Sequence, residues 1–305
     1  MVYTYGMPEL PEVETMCRGI NAVVGSRIVG VVRPQCHLKP ITMTPALAGF
    51  RRRAVGRTIE RIDRVGKRVV LRLDGARGDA IVIEPRMTGL VLLAEPPNRD
   101  HMRLVLQLAD GIAPELLFWD RRGLGVVRLV AADEFERRYG LGLVGPDALT
   151  VTPELLRERL GASRREIKVA LLDQRGVAGI GNLYAAEILH LAGIHPARPC
   201  KGLKPGDWQA LARAVIDVLT EAIRYEGSTL SDGTYRNAQN EAGGYQNQHR
   251  VYDRAGELCG GCREATVVRF VQAQRSTFFC PTCQPIAPRS SRIRTASRRG
   301  TSREP

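Results

Sequence analysis

The chain has 305 residues, 44% of them hydrophobic, and a formal net charge of +13 at pH 7. That length points to two or three domains, no apolar run reaches the roughly 18 residues of a membrane helix, and the first twenty residues lack the basic, apolar, small-residue order of a secretory signal, so a cytoplasmic location is expected. The positive surplus favours a polyanionic partner, most often nucleic acid, and arginine far outnumbers lysine, which is confined to Lys39, Lys67, Lys168, Lys201 and Lys204.

In chain order, a proline start, early glutamates and helical spacing of apolar residues predict a helix over Pro8 to Val24. From Ser26 to about Val130 the pattern becomes strand-like. The short aliphatic segments 27–32, 68–73, 80–83, 90–93, 102–108 and 125–130 are often separated by Gly, Pro, Asp or Asn, which reads as a β-sandwich or barrel. Residues 145–150 look like a linker, after which helical patterns begin at Thr152, Ile167, Asn182 and Asp207. Residues 226–248, rich in Gly, Asn and Gln, predict a long loop, and 286–305 a disordered basic tail.

Seven cysteines are present, and four of them follow the order Cys259-x2-Cys262-x17-Cys280-x2-Cys283. Each short pair places two thiolates on one tight turn, and two such turns make a tetrahedral sulfur cage for one Zn²⁺. Four thiolates close the coordination sphere, so the expected role is structural. Cys17, Cys36 and Cys200 read as reduced, buried small hydrophobes. The spacer contains Arg269 and Arg275, which puts arginine on a metal-braced hairpin as a phosphate or groove probe.

Gly179-Ile-Gly-Asn182 opens the helical run Leu183 to His190, and small residues before a helix leave N–H groups free for an anion. By itself this is also an ordinary turn and cap. Met7-Pro8-Glu9-Leu10-Pro11-Glu12 reads as a capped helix entrance, with a second reading if residues 1–7 are removed through initiation at Met7. Pro8 would then carry a free secondary amine, nucleophilic near neutral pH, with Glu9 beside it to move a proton.

These motifs, together with Lys67 in VGKRVVL, the DRRGLG turn, the GSTL run from Gly227 and the QRSTFFC run, occur in an order that closely resembles the bacterial formamidopyrimidine-DNA glycosylase family over residues 7 to 285. The resemblance implies an α+β multidomain chain. Its parts would be an N-terminal β-sandwich with flanking helices (7–145), a helix–two-turn–helix domain with a lesion loop (151–248) and a zinc β-hairpin (249–285). It further implies a monomeric base-excision-repair enzyme of the nucleoid, removing oxidised purines from duplex DNA through a proline iminium and β,δ-elimination. By resemblance Pro8 is the nucleophile, Glu9 the proton donor to the sugar ring oxygen, and Lys67 the holder of phosphate near the lesion. Glu12 lines the damaged-base pocket, Lys168 lies near the oxidised purine, and Asn182 and Arg275 grip the kinked backbone. Met87, Arg122 and Leu124 fill the gap left by the flipped base.

The chain departs from the family pattern at Leu124, where typical members carry an aromatic, and at Glu84, where a histidine is usual. Its second zinc spacer is also one residue longer than the commonest form. Two other readings stay open at this level. One is the sister class acting on oxidised pyrimidines, against which Leu10 and residues 226–248 weigh. The other is a zinc-ribbon DNA-binding protein without catalysis, which leaves Pro8-Glu9 with Lys67 unexplained.

Overall fold

The computed structural model describes residues 7–140, 142–230 and 232–286; the expected basic tail lies outside them apart from its first residue. The chain opens with α1 (Leu10–Gly19) and a short 3₁₀ turn. Nine strands and two helices follow: β1 (Arg27–Val32), β2 (Thr42–Thr44), α2 (Leu47–Ala54), β3 (Ile59–Val65), β4 (Arg68–Leu73), β5 (Ala80–Glu84), β6 (Gly89–Leu92), β7 (Met102–Ala109), β8 (Glu115–Asp120), β9 (Val126–Val130) and α3 (Ala132–Tyr139). Helices α4 (Pro153–Leu160), α5 (Ile167–Leu171), α6 (Asn182–Leu191) and α7 (Pro205–Arg224) come next, and the hairpin β10 (Val268–Gln272) and β11 (Arg275–Phe279) ends the described chain.

The strands form a four-stranded sheet in the order β1-β7-β8-β6 and a five-stranded sheet in the order β2-β9-β5-β4-β3. Their facing sides share one apolar core with α1, built from Val69, Leu71, Ile81, Leu106, Phe118 and their neighbours. The opposite face of the five-stranded sheet is covered by Phe135 and Tyr139 of α3. A β-sandwich with flanking helices therefore stands where the strand pattern predicts it. A second core gathers α4, α5, α6 and α7, with Trp208, Leu211 and Val215 of α7 packed among residues of α6.

Three strands and two helices lie outside the predicted set. The edge strand β3 is one of them, with four charged residues among its seven. Glu60 is exposed and the other three are paired: Asp63 accepts from Arg61 of its own strand at 2.7 Å and from Arg72 of β4 at 2.9 Å, and Arg64 meets Glu14 at 2.8 Å. An edge strand of this kind lacks the hydrophobic run that sequence patterns detect. The first helix is shorter than predicted at both ends. Glu9 is its N-cap, donating its backbone N–H to Glu12 at 2.9 Å, so Pro8 stays ahead of the helix. At the other end, a Cβ on Gly19 would lie 2.5 Å from that of Ala238. The 226–248 segment thus reaches back to the sandwich, burying Tyr235 and Ala238 in its core and pairing Ala238 O with Leu93 N at 2.9 Å. Cys17 and Cys200 are buried as expected, but Cys36 is only half-buried, its sulfur held by Arg103 at 2.8 Å.

Candidate active site

A cleft of about 510 Å³ opens where the entrance of α1, the β3–β4 turn, the α6 N-terminus and the β10–β11 turn converge. Pro8, Glu9, Glu12, Lys67, Asn182 and Arg275 all line it, and so does Met87. Residues from the two ends of the described chain are thus brought to one place.

Glu9 is 4% exposed. Its carboxylate crosses to the helical domain and caps α6, accepting the N–H of Gly181 at 2.6 Å, of Leu183 at 3.0 Å and of Tyr184 at 3.4 Å. The N-terminal end of a helix offers unpaired donors and positive potential, which suits a carboxylate. Burial pushes the Glu9 pKa up, against the pull of Lys67 and these three N–H groups. The loop ahead of α6 is shaped for the approach. Leu10 N donates to Gly179 O at 3.0 Å, and Gln174 clamps the loop through Gly179 N at 2.9 Å and Ile180 O at 2.8 Å.

Glu12 lies one helical turn further on and is 3% exposed. It accepts from Tyr184 Oη at 2.6 Å, from Ser228 N at 2.9 Å and from the backbone N–H of Glu9. Burial, and then repulsion from Glu9, raise its pKa to about 7. Lys67 sits in the β3–β4 turn near both acids; desolvation lowers its pKa while Glu9 and Glu12 oppose that shift. The cleft therefore combines two buried acids shifted towards neutrality with one nearby ammonium, a pattern expected where protons are moved.

Lys168 does not line the cleft. Its ammonium is buried behind the wall, donating to Asn182 Oδ1 at 2.6 Å, Thr277 Oγ1 at 2.8 Å and Ser276 O at 3.4 Å. Burial brings its pKa down to about 8. Asn182 in turn donates to Ser276 O at 3.1 Å, so α5, α6 and β11 meet at one polar joint. Arg275 is the first residue after the two-residue turn Ala273-Gln274, whose positive φ values of 48° and 60° suit a tight hairpin, and it is exposed to the cleft.

Met87 and Arg122 touch, with Arg122 Nη1 3.1 Å from the Met87 sulfur. Leu124 is half-buried beside Arg122 in the same turn but does not line the cleft. Asp120, which sequence patterns did not single out, organises this turn by accepting from Gly125 N at 2.7 Å, Arg122 N at 3.2 Å and the Thr88 hydroxyl. Tyr184 and Ser228 lie inside runs that the sequence analysis used, but neither they nor Gln174 could be given a role there, because the contacts that supply it depend on the folded chain. Glu84 does not stand as a bare negative charge. Arg128 meets it at 2.7 Å, Arg86 at 3.3 Å and Arg68 at 3.6 Å.

The four C-terminal cysteines lie away from the cleft, their sulfurs within 4.8 Å of one another and none in a disulfide. Cys259 and Cys283 are 3.8 Å apart and Cys262 and Cys280 3.6 Å. Tetrahedral zinc with bonds of about 2.3 Å requires sulfurs about 3.8 Å apart, so the cage fits one structural Zn²⁺.

Three family models match this chain: the N-terminal domain of formamidopyrimidine-DNA glycosylase over residues 7–127, its H2TH domain over 144–234, and a zinc finger found in FPG and IleRS over 256–286. Formamidopyrimidine-DNA glycosylase of Chloroflexus aggregans is 42% identical over 92% of this chain and 99% of its own length. The Caulobacter vibrioides protein of the same name is 36% identical, covering 91% of this chain and 100% of that one. Among solved structures, MutM (Fpg) from Thermus thermophilus aligns with a TM-score of 0.78 at 38% identity, over 92% of this chain and 100% of that one. A Lactococcus lactis Fpg variant in complex with Fapy-dG-containing DNA aligns at 0.81 and 31% identity, with the same coverage. Fold and site together define a DNA glycosylase assembled from a β-sandwich, a helix–two-turn–helix region and a zinc hairpin. The chain belongs to the formamidopyrimidine-DNA glycosylase family.

Proposed function

We propose that this glycosylase removes oxidised purines, 8-oxoguanine and formamidopyrimidines, from duplex DNA and then cuts the abasic strand as a lyase. It acts as a monomer in the cytoplasm, with the nucleoid, and its working parts are 7–145, 151–248 and 249–285. The observation that carries this reading is the buried acid pair Glu9 and Glu12 set beside Pro8 and Lys67 in one cleft. The target base is flipped into that cleft, since its sugar carbon is out of reach inside the stack.

The amine of Pro8, freed by removal of residues 1–7, donates its lone pair to C1′, the C1′–N9 pair leaves with the base, and the N–H proton that Pro8 gives up passes to the departing base. Glu9 supplies a proton to O4′ as the C1′–O4′ bond opens, which produces an iminium between Pro8 and the sugar. The iminium acidifies the C2′ proton; its loss expels the 3′ phosphate, loss of the C4′ proton expels the 5′ phosphate, and water releases Pro8. Lys67 holds the phosphate nearest the reacting sugar, and Glu12 faces the base. Asn182 and Arg275 grip the bent backbone, with Lys168 as a positioning residue that fixes Asn182. Met87, Arg122 and Leu124 occupy the space vacated by the flipped base, Arg122 meeting the orphan cytosine.

The test uses protein beginning at Pro8, a duplex carrying 8-oxoguanine opposite cytosine, and borohydride, which reduces an iminium to a stable amine. A covalent adduct mapped to Pro8 is expected, and Pro8→Gly should lose excision while binding duplex. Excision undiminished in that variant, or in protein retaining residues 1–7, removes the proline assignment. A second substrate class has one observation in its favour, since a Lactococcus lactis Fpg structure with 31% identity to this chain holds an oxidised-pyrimidine-containing DNA. Excision of thymine glycol at a rate matching that of 8-oxoguanine would shift the assignment towards a broad oxidised-base enzyme.

A further inference from the structure

Helix α6 meets the active site at one end and the sulfur cage at the other. Its N-terminus holds the Glu9 carboxylate. In its last turn, His190 is 9% exposed and places Nε2 3.4 Å from the sulfur of Cys259, 69 positions later in the chain. We propose that His190 belongs to the metal site as a positioning residue, donating its Nε2–H to the Cys259 thiolate. The zinc cage is then fastened to the helical domain as well as to its own two turns.

Three observations support this. A zinc-bound thiolate only accepts hydrogen bonds, so the nitrogen that faces it must carry the proton, and the contact selects one tautomer of the ring. The ring lies directly against the metal-binding turn: a Cβ on Gly261 would be 3.5 Å from His190 Cε1 and 3.6 Å from the sulfurs of both Cys259 and Cys283. The imidazole does not serve as a ligand, because four sulfurs within 4.8 Å of one another already supply the four ligands of a tetrahedral zinc site.

The rest of α6 reinforces the joint. Glu187, fully buried, accepts the backbone N–H groups of Arg250 at 2.8 Å, Val251 at 2.9 Å and Tyr252 at 2.8 Å, so the segment leading into the cage is tied to the same helix. The consequence is chemical as well as mechanical. An N–H donor draws electron density from a thiolate, which makes it a poorer nucleophile towards oxidants and fixes its orientation towards the metal. This inference rests on the zinc site alone and stands apart from the reading of the chemistry at Pro8.

The full chain is loaded with Co²⁺ in place of zinc and compared with His190→Phe, which keeps a planar ring but no donor, and with His190→Gln, which restores one. Loss of the N–H should move the thiolate-to-cobalt charge-transfer band to longer wavelength in the Phe variant. Zinc affinity, measured by competition with a chromogenic chelator, should fall about tenfold, the scale expected for an outer hydrogen bond to a metal ligand. The Gln variant should lie nearer the original chain on both. An unchanged band and affinity in the Phe variant would overturn the proposal. A measurement on the unaltered zinc protein is independent of how the variants fold: nitrogen-15 shifts of the His190 ring should report a proton on Nε2, and a proton on Nδ1 alone would equally overturn it.

Discussion

Glu9 and Gly181, 172 positions apart, make one of the shortest contacts in the cleft, with Glu9 Oε2 accepting the Gly181 N–H at 2.6 Å. The approach depends on the missing side chain, because a Cβ at 181 would sit 2.2 Å from the carboxyl carbon. Gly181→Ala should therefore expel the Glu9 carboxylate from the α6 N-terminus. Single-turnover excision is expected to slow by about 100-fold, the scale associated with misplacing a reacting group by an ångström, with duplex affinity much less affected. An excision rate equal to the original would show that Glu9 acts from some other position.

Glu12 makes a pH prediction whose sign follows from its environment. Burial and the charge of Glu9 raise its pKa from 4.5 to about 7. The folded state therefore binds the proton more tightly than the unfolded chain, and the associated stability is fully present below pH 4.5 and lost as pH rises through about 7. Glu12→Gln should flatten the fall in urea midpoint between about pH 4.5 and about pH 7, the interval between the unfolded and the folded value. The upper limit for the whole effect is about 3 kcal/mol. Parallel pH profiles for the two proteins would mean that Glu12 is charged throughout.

The joint at Lys168 links the helical domain to the zinc hairpin through Asn182, Thr277 and the Ser276 carbonyl. Lys168→Met keeps much of the bulk of the side chain and removes its ammonium donors. We expect the hairpin to lose its docking and affinity for lesion-containing duplex to drop about tenfold, equivalent to about 1.4 kcal/mol. Fluorescence anisotropy with a labelled duplex measures this directly. A variant that binds as before would place the hairpin's support elsewhere.

Removing zinc should have a local effect. The sandwich core includes none of the four metal-binding cysteines, whereas the zinc module offers Val251, Tyr252, Val267 and Phe278 to the helical core. Chelation, or Cys280→Ser, is expected to leave amide protection in β4, β5 and β8 intact while exchange in β10 and β11 accelerates by orders of magnitude. Hydrogen-exchange mass spectrometry before and after chelation distinguishes this from global unfolding.

What the sequence determined by itself was local. Cys259, Cys262, Cys280 and Cys283 were readable as a zinc cage because a tight turn brings two thiolates together whatever the rest of the chain does. The strands and helices with regular apolar spacing were readable for a similar reason: their periodicity is written in adjacent residues. The family motifs placed Pro8, Glu9, Lys67, Asn182 and Arg275 among the candidates. Only the tertiary structure brought them to one cleft, turned Lys168 into the wall behind Asn182, and surrounded Glu84 with three arginines. The same holds for Glu12 against Tyr184, 172 positions apart, and for His190 against Cys259, 69 positions apart. The energies of such contacts come from burial and from donors supplied by another part of the chain, and neither leaves a periodic or neighbouring trace in the sequence.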